Sequence, residues 1–382
     1  ENSGQLGDVH PWSGRLRSAA AVLTLPLALA LGCTDADGNL VLNLSEPEEA
    51  PPPALGKMTK ISGAGSYLAG IHAQRHRDFS VAADYLNNAL VETPANIPLR
   101  RRTYLALVAS GRMAESVILA QRIVAVNDKS PFANLTLVVD AMKRGKFSGA
   151  ERRLKDMPKT GFNRFIVPLL RSWAIASQGR PEEAIAALDP VSGITGLQVL
   201  YQLHRGLISD LAGNTEDAEK AYLHAAGKRP TLRVVQMLGS FYERTERAQK
   251  AEALYKNFIA KNSDTLVLES AMRRMNSGKL VGRVVGDAAQ GMAEAFFNVA
   301  SSITRGRSAE HALVFGRLAL YLRPRFPLAK VMVAGVLESL ERYDEAMKVY
   351  DSIDRNSSIY WNARLRKASA LESQGRIEAA IE

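Results

Sequence analysis

A period of thirty-four residues constrains this chain more than any other feature. From Ala82, steps of 34 land on Ser116, Ala150, Ala184 and Ala218, so a small residue returns at each repeat. The stretch from Val199 to Pro230 shows what the period carries. Leu200, Leu203, Leu207 and Leu211 share one helical face, Gly213-Asn214 breaks it, and Ala218, Tyr222 and Ala225 share the face of a second helix. Neither short helix could bury its apolar face alone, so each must pack on its partner and on the next repeat. Gly206, Ala218, Tyr222, Ala225 and Pro230 recur as Gly70, Ala82, Leu86, Ala89 and Pro94, with small residues where two helices approach closely. Turns at Gly111-Arg112, Gly145-Lys146 and Gly179-Arg180 divide the intervening units in the same way.

This pattern resembles the tetratricopeptide repeat family, whose signature is this period with small, large and small residues on the second helix. The resemblance implies an all-α, right-handed superhelical solenoid of about nine helix-turn-helix repeats. It also implies a concave face lined mostly by the first helix of each hairpin, where a peptide segment or protein partner is held. Carried onto this chain, the inner positions are Tyr67, Gln74 and Arg75 in the first unit and Arg101 in the second. Met142 and Lys143, Trp173, then Leu203 and Asp210 follow in the third, fourth and fifth. Gln236, Glu243 and Arg244 close the series in the sixth. The positions that a chaperone-type carboxylate clamp would fill are Leu68, Arg102 and Thr136, which argues against that ligand.

The register divides the chain. Residues 63–263 read as repeats one to six. Ala251 and the next well-placed alanine, Ala312, lie 61 residues apart, one full step and one short step of 27. Residues 264–292, with Gly278, Gly282, Gly286 and Gly291, are therefore expected to form a degenerate repeat or hinge. Repeats resume over 293–382, and the last is cut short at Glu382 inside its second helix, so further sequence is expected beyond it.

Residues 1–33 read as a targeting segment. Arg15 and Arg17 precede the apolar run from Ala19 to Gly32, which has the length of a secretory leader core and is short for a membrane span. Ala30-Leu31-Gly32-Cys33 resembles a lipoprotein cleavage box, with Ala30 where such boxes usually carry Leu, and Cys33 is the lipidation candidate. An ordinary secretory leader or an uncleaved anchor is the competing reading. Residues 34–62 form a linker rich in acid and proline. Location in a bacterial cell envelope, periplasmic or membrane-tethered, is the resulting expectation; a cytoplasmic adaptor is the alternative.

Chemistry is less well served. Cys33 is the only cysteine, which excludes an internal disulfide framework and an all-cysteine metal site. His72 and His76 share a helix face at i,i+4, without the acid or third ligand of a zinc-protease frame. Gly282-Arg283-Val284-Val285-Gly286 lacks the strand and lysine of a phosphate-binding loop. No catalytic residue, metal or cofactor is expected within the chain. A catalytic domain beyond residue 382, for which these repeats are a regulatory or substrate-binding part, remains the competing class. The net charge of +10 favours acidic partners, with no motif for nucleic acid. Interaction with protein, as a scaffold for envelope complex assembly, secretion or polysaccharide export, is the function expected; the oligomeric state is left open.

Overall fold

A computed structural model describes residues 62–381, apart from 128, 263, 264, 280 and 305–307. The expectations placed on the leader, most of the linker and Cys33 lie outside the described residues.

Every regular element among the described residues is a helix. The first three hairpins are α1 (Gly63–Arg75) with α2 (Phe79–Glu92), α3 (Ile97–Ser110) with α4 (Met113–Val124), and α5 (Pro131–Lys143) with α6 (Phe147–Asp156). In the fourth, α7 (Asn163–Ala176) is followed by two short pieces, α8 (Pro181–Ala186) and α9 (Asp189–Ser192). Pro190, which has no N–H to donate, stands at the start of α9, so the second helix breaks there while Ala184 and Leu188 still pack fully buried. Hairpins five and six are α10 (Gln198–Ala212) with α11 (Thr215–Ala226) and α12 (Leu232–Arg244) with α13 (Ala248–Ile259).

Local chemistry sets the boundaries. Ser62, Asp78, Asn96, Thr231 and Asp287 each accept a backbone N–H of the following helix through the side chain. In eight hairpins the turn places one residue in the left-handed region. Gly111, Gly145, Gly179, Gly213 and Gly375 supply it with φ of 86°, 72°, 72°, 85° and 73°. In three hairpins Arg77, Glu246 and Glu341 take the same place at φ 56°, 59° and 61°, at a steric cost glycine avoids. Within the hairpins, a Cβ on Gly70, Gly206 or Gly239 would come within 3.0 Å of Leu86, Tyr222 or Tyr255, sixteen residues on in each case. These glycines are where the large residue of the second helix seats.

After hairpin six the regular stacking stops. Helix α14 (Leu266–Asn276) is followed by no second helix among the described residues of 277–287. Ser240 donates to the Gly282 carbonyl at 3.3 Å, and Arg283 reaches Asp210, so this segment crosses the ends of α12 and α10. It delivers a further hairpin, α15 (Ala288–Ser302) with α16 (Ala309–Leu322), onto the first helices of earlier units. Helix α15 packs on α7 and α10, and α16 on α3 and α5. The short step between Ala251 and Ala312 is thus the place where the chain leaves the stack and returns inward. Two more hairpins follow, α17 (Pro327–Ser339) with α18 (Tyr343–Asp351) and α19 (Tyr360–Ser373) with α20 (Ile377–Ile381). They join a second apolar cluster that includes Phe79 and Ala109 from the first units.

Candidate functional site

The inner face divides into a covered part and an open part. One position of the 34-residue frame reads Ile71, Leu105, Val139, Trp173 and Leu207. Ile71 is half-buried and Leu105 is 37% exposed, whereas Val139 and Trp173 are at 0% and Leu207 at 3%. The same geometry in the repeat therefore has two fates, and the difference is the α15–α16 hairpin.

That hairpin is seated by close packing and by polar contacts. The six-membered ring of Trp173 lies against the backbone at Gly291, where a Cβ would fall below 3.0 Å from three ring atoms. Trp173 Nε1 donates to His204 Nδ1 at 3.0 Å, and both residues are fully buried. Burial pushes the His204 imidazole down to about 4, against the smaller opposing pull of Glu294. Arg233 on α12 grips the fully buried Glu294 with two parallel hydrogen bonds of 2.8 and 2.6 Å. At the other end, Arg317 donates to the Ala109 carbonyl at 3.0 Å, and the Tyr321 hydroxyl donates to Asp140 at 3.0 Å. Burial lowers the affinity of the Arg317 guanidinium for its proton.

These contacts account for many of the residues expected to line the groove. Met142, Trp173 and Leu203 are buried in the joint. Lys143 donates to the Tyr321 carbonyl at 2.7 Å and lies 4.2 Å from the Tyr321 ring centroid. Gln236 accepts from Arg233 at 3.1 Å, beside the Glu294 pair. In this arrangement they hold the chain's own helices.

Asp210, Glu243 and Arg244 have a different structural task. Asp210 accepts from Tyr222, twelve residues on, at 3.3 Å and from Arg244 of the next first helix at 2.6 Å. Glu243 repeats the arrangement with Tyr255 at 2.7 Å and Arg274 at 2.6 Å. Tyr350 and Arg366 face Glu338 in the same way. Each acid, near the end of a first helix, ties its own hairpin to the next unit. Burial, and then the neighbouring carboxylate, raises the Tyr222 hydroxyl well above its usual range; Tyr255 rises for the same reasons. The twelve-residue acid-to-tyrosine spacing was visible in the sequence and distinguishes this staple from a ligand-binding acid. Nothing comparable marked Glu294, Arg233 or Arg317, because their partners lie across the fold.

The open part belongs to α1 and α3. Tyr67 is 39% and Leu68 is 68% exposed, and with Leu105 they give an apolar centre. Arg75 and Arg101 are exposed and form no hydrogen bond or ion pair among the described residues. Arg102 donates to Gln74 at 3.1 Å and links the two helices. Neither helix contains a carboxylate. Beside them is a recess of about 410 Å³ lined by Tyr67, Ala89, Thr93, Leu99 and Arg102, and also by Glu92, whose carboxylate accepts from the Gly63 N–H at 2.8 Å. His72 and His76 are exposed with ring centroids 4.5 Å apart, and no cluster of three or more metal-ligating side chains occurs among the described residues. The open face thus offers apolar contact and cationic hydrogen-bond donors.

The described residues form an all-α solenoid of tetratricopeptide-like hairpins. No protein-family model matches the chain, and no curated protein matches it. Among solved structures, it is similar to a chain in the structure of Naa15/Naa10 bound to HypK-THB, with 16% identity over 84% of this chain and a TM-score of 0.38. This chain spans 57% of the length of that one. A tetratricopeptide repeat protein from Parabacteroides merdae is similar at 13% identity, over 68% of this chain and 98% of that chain, with a TM-score of 0.46. For yeast Tom70 the values are 13% identity, 84% and 90% coverage, and a TM-score of 0.23.

Proposed function

We propose that this chain is a protein-interaction scaffold that holds a segment of a protein partner on the open inner face of its first two units. The observation that carries the reading is the contrast between Leu105, exposed on α3, and its frame equivalents Val139 and Trp173, sealed beneath α15–α16. The chain's own α15–α16 hairpin packs over α7 and α5, where Trp173 and Val139 are sealed, and leaves Leu105 on α3 uncovered. There Leu68 and Leu105 offer apolar contact, while Arg75, Arg101 and Arg102 supply donors at the rim. The setting we propose is a bacterial cell envelope, with the scaffold exported or tethered, in complex assembly, secretion or polysaccharide export. Arg15, Arg17, the apolar run from Ala19 to Gly32 and Cys33 support that setting.

A photo-crosslinking side chain at Leu68 or Leu105 in the full-length protein, in its native cell, tests the binding face. Adducts are expected from both positions and not from Ile118, an exposed residue of α4. They are expected to fade when Arg101→Glu and Arg102→Glu are combined, with helicity unchanged. Adducts confined to Ile118, or undiminished by the double reversal, would refute the assignment. Globomycin-sensitive lipid labelling that disappears in Cys33→Ser would support tethering, whereas equal labelling of both proteins would exclude lipidation at that residue.

A further inference from the structure

Successive helices run antiparallel, so the turns inside hairpins emerge on one edge of the array and the connections between hairpins on the other. The two edges handle their cations differently. On the hairpin-turn edge, arginines pair across adjacent units: Arg112 with Asp84, Arg180 with Glu151, and Arg247 with Glu219. Arg376 with Asp344 repeats that pattern in the C-terminal units, and Arg342 of the α17–α18 turn reaches back to Asp78 of the first unit.

On the opposite edge, several cations of the first six units form no ion pair among the described residues, whereas toward the C-terminal units Arg364 and Lys367 pair with Asp351 at the end of α18. Around the connection from α6 to α7, exposed Lys155 and Asp156 end α6, Lys159 lies in the loop and exposed Arg164 begins α7. Exposed Arg152, in the last turns of α6, lines a recess of about 530 Å³ with Lys129 from the α4–α5 connection. Further along, Lys228 and Arg229 of the α11–α12 connection share a recess of about 290 Å³ with Lys261, over a floor of Leu254, Phe258 and Pro230. None of these cations forms an ion pair among the described residues. Part of the arrangement is explained by helix ends, since cations near the ends of α6 and α13 complement their dipoles. The loop residues Lys129, Lys159 and Lys228 are outside helices, and that explanation does not reach them.

Apolar side chains are spaced among the cations on the same edge. Val126 is 59% exposed, Val199 is 45% and Leu266 is 40%, each in or next to a connection between units. They stand singly and line neither of the two recesses. Scattered cations with intervening single apolar groups suit a fluid surface of anionic headgroups, which supplies charge wherever the protein presents it and admits isolated apolar groups at the acyl boundary. Phe162, 39% exposed in the α6–α7 connection, is already in ring contact with Phe165 and His311, unlike the free stacking platforms that single-stranded nucleic acid uses. No helix among the described residues is long and apolar enough to cross a membrane, so contact here would be from the side.

We propose that the edge carrying Arg152, Lys155, Lys159, Lys228, Arg229 and Lys261 docks on a membrane surface rich in anionic lipid headgroups. This contact is separate from the partner face on α1 and α3, and leaves that face free.

The test is sedimentation of the full-length chain with vesicles of neutral phosphatidylcholine, or of the same lipid with phosphatidylglycerol added. The apolar run of residues 19–32 can bind either vesicle, so the decisive quantity is the gain on adding anionic lipid. That gain is expected to be lost at high salt and to fall on the order of 100-fold when Lys155→Gln, Lys159→Gln and Lys228→Gln are combined. The same substitution at Arg75 and Arg101 should leave vesicle binding unchanged, even if partner crosslinking is lost. Equal binding to neutral and anionic vesicles would overturn the proposal, as would a triple variant that keeps both its helicity and its gain. A parent protein that ignores vesicles but is shifted by polyuridylate or polyglutamate would overturn it as well.

Discussion

Replacing Gly291 by alanine tests how the inner face is closed. Gly291 lies in the second turn of α15, where alanine is intrinsically favoured over glycine by about 1 kcal/mol. The added Cβ would fall below 3.0 Å from three atoms of the Trp173 six-membered ring, where ordinary contact begins near 3.4 Å. Trp173 has no exposed surface and its Nε1 is held by His204, so the ring cannot turn aside without breaking that bond. Overpacking of this kind costs about 1–3 kcal/mol, and up to about 4 when the hydrogen bond to His204 is lost as well. After the helix gain is subtracted, Gly291→Ala should destabilise the protein by about 0–3 kcal/mol, the upper end applying if the bond to His204 is lost. Gly335→Ala in α17 is the matched control, because a Cβ there meets nothing within 4 Å. It should stabilise by about 0.5–1 kcal/mol. Urea unfolding of both variants gives the energies. Tryptophan emission in a background lacking Trp12 and Trp361 should shift to the red only for Gly291→Ala, as Trp173 loses its seat. A Gly291→Ala protein as stable as the Gly335→Ala control, with unshifted emission, would refute the packing of α15 against α7.

The other predictions concern charge and backbone. Glu294→Ala should cost about 3–5 kcal/mol in denaturant unfolding by stranding Arg233 in a largely buried site, and adding Arg233→Met should recover much of the loss. Arg77→Gly, Glu246→Gly and Glu341→Gly should each raise stability by about 1 kcal/mol in thermal unfolding, since those residues hold positive φ that glycine adopts freely. His204, held at about 4 in the fold, titrates nearer 6.5 once unfolded, so the unfolded chain binds the extra proton between those values. Its contribution is complete above pH 6.5 and is lost as the pH falls toward 4, by about 3 kcal/mol. Parallel pH profiles of stability should show a shallower acid loss in His204→Gln.

Much of the fold was legible because a repeat writes its packing rules many times. Gly206 against Tyr222 and Gly70 against Leu86 are contacts between residues sixteen apart, within reach of a local pattern. The site was less legible. Trp173 and Leu105 occupy the same frame position, and no local rule separates them. Asp210 and Glu243 looked like groove acids, and a tyrosine twelve residues downstream identifies them as staples between units.

Periodicity, small residues at helix crossings and left-handed turns at fixed spacing are properties of neighbouring residues, and the sequence by itself determined them. Even the slip between Ala251 and Ala312 announced that the stack is interrupted. Where the chain goes after the slip was decided by tertiary structure. Arg233 and Glu294 are 61 residues apart, and Arg317 and Ala109 are 208 apart. Contacts at such separations depend on shape and burial, which no period encodes, and they decide which part of the inner face is core and which part is left exposed.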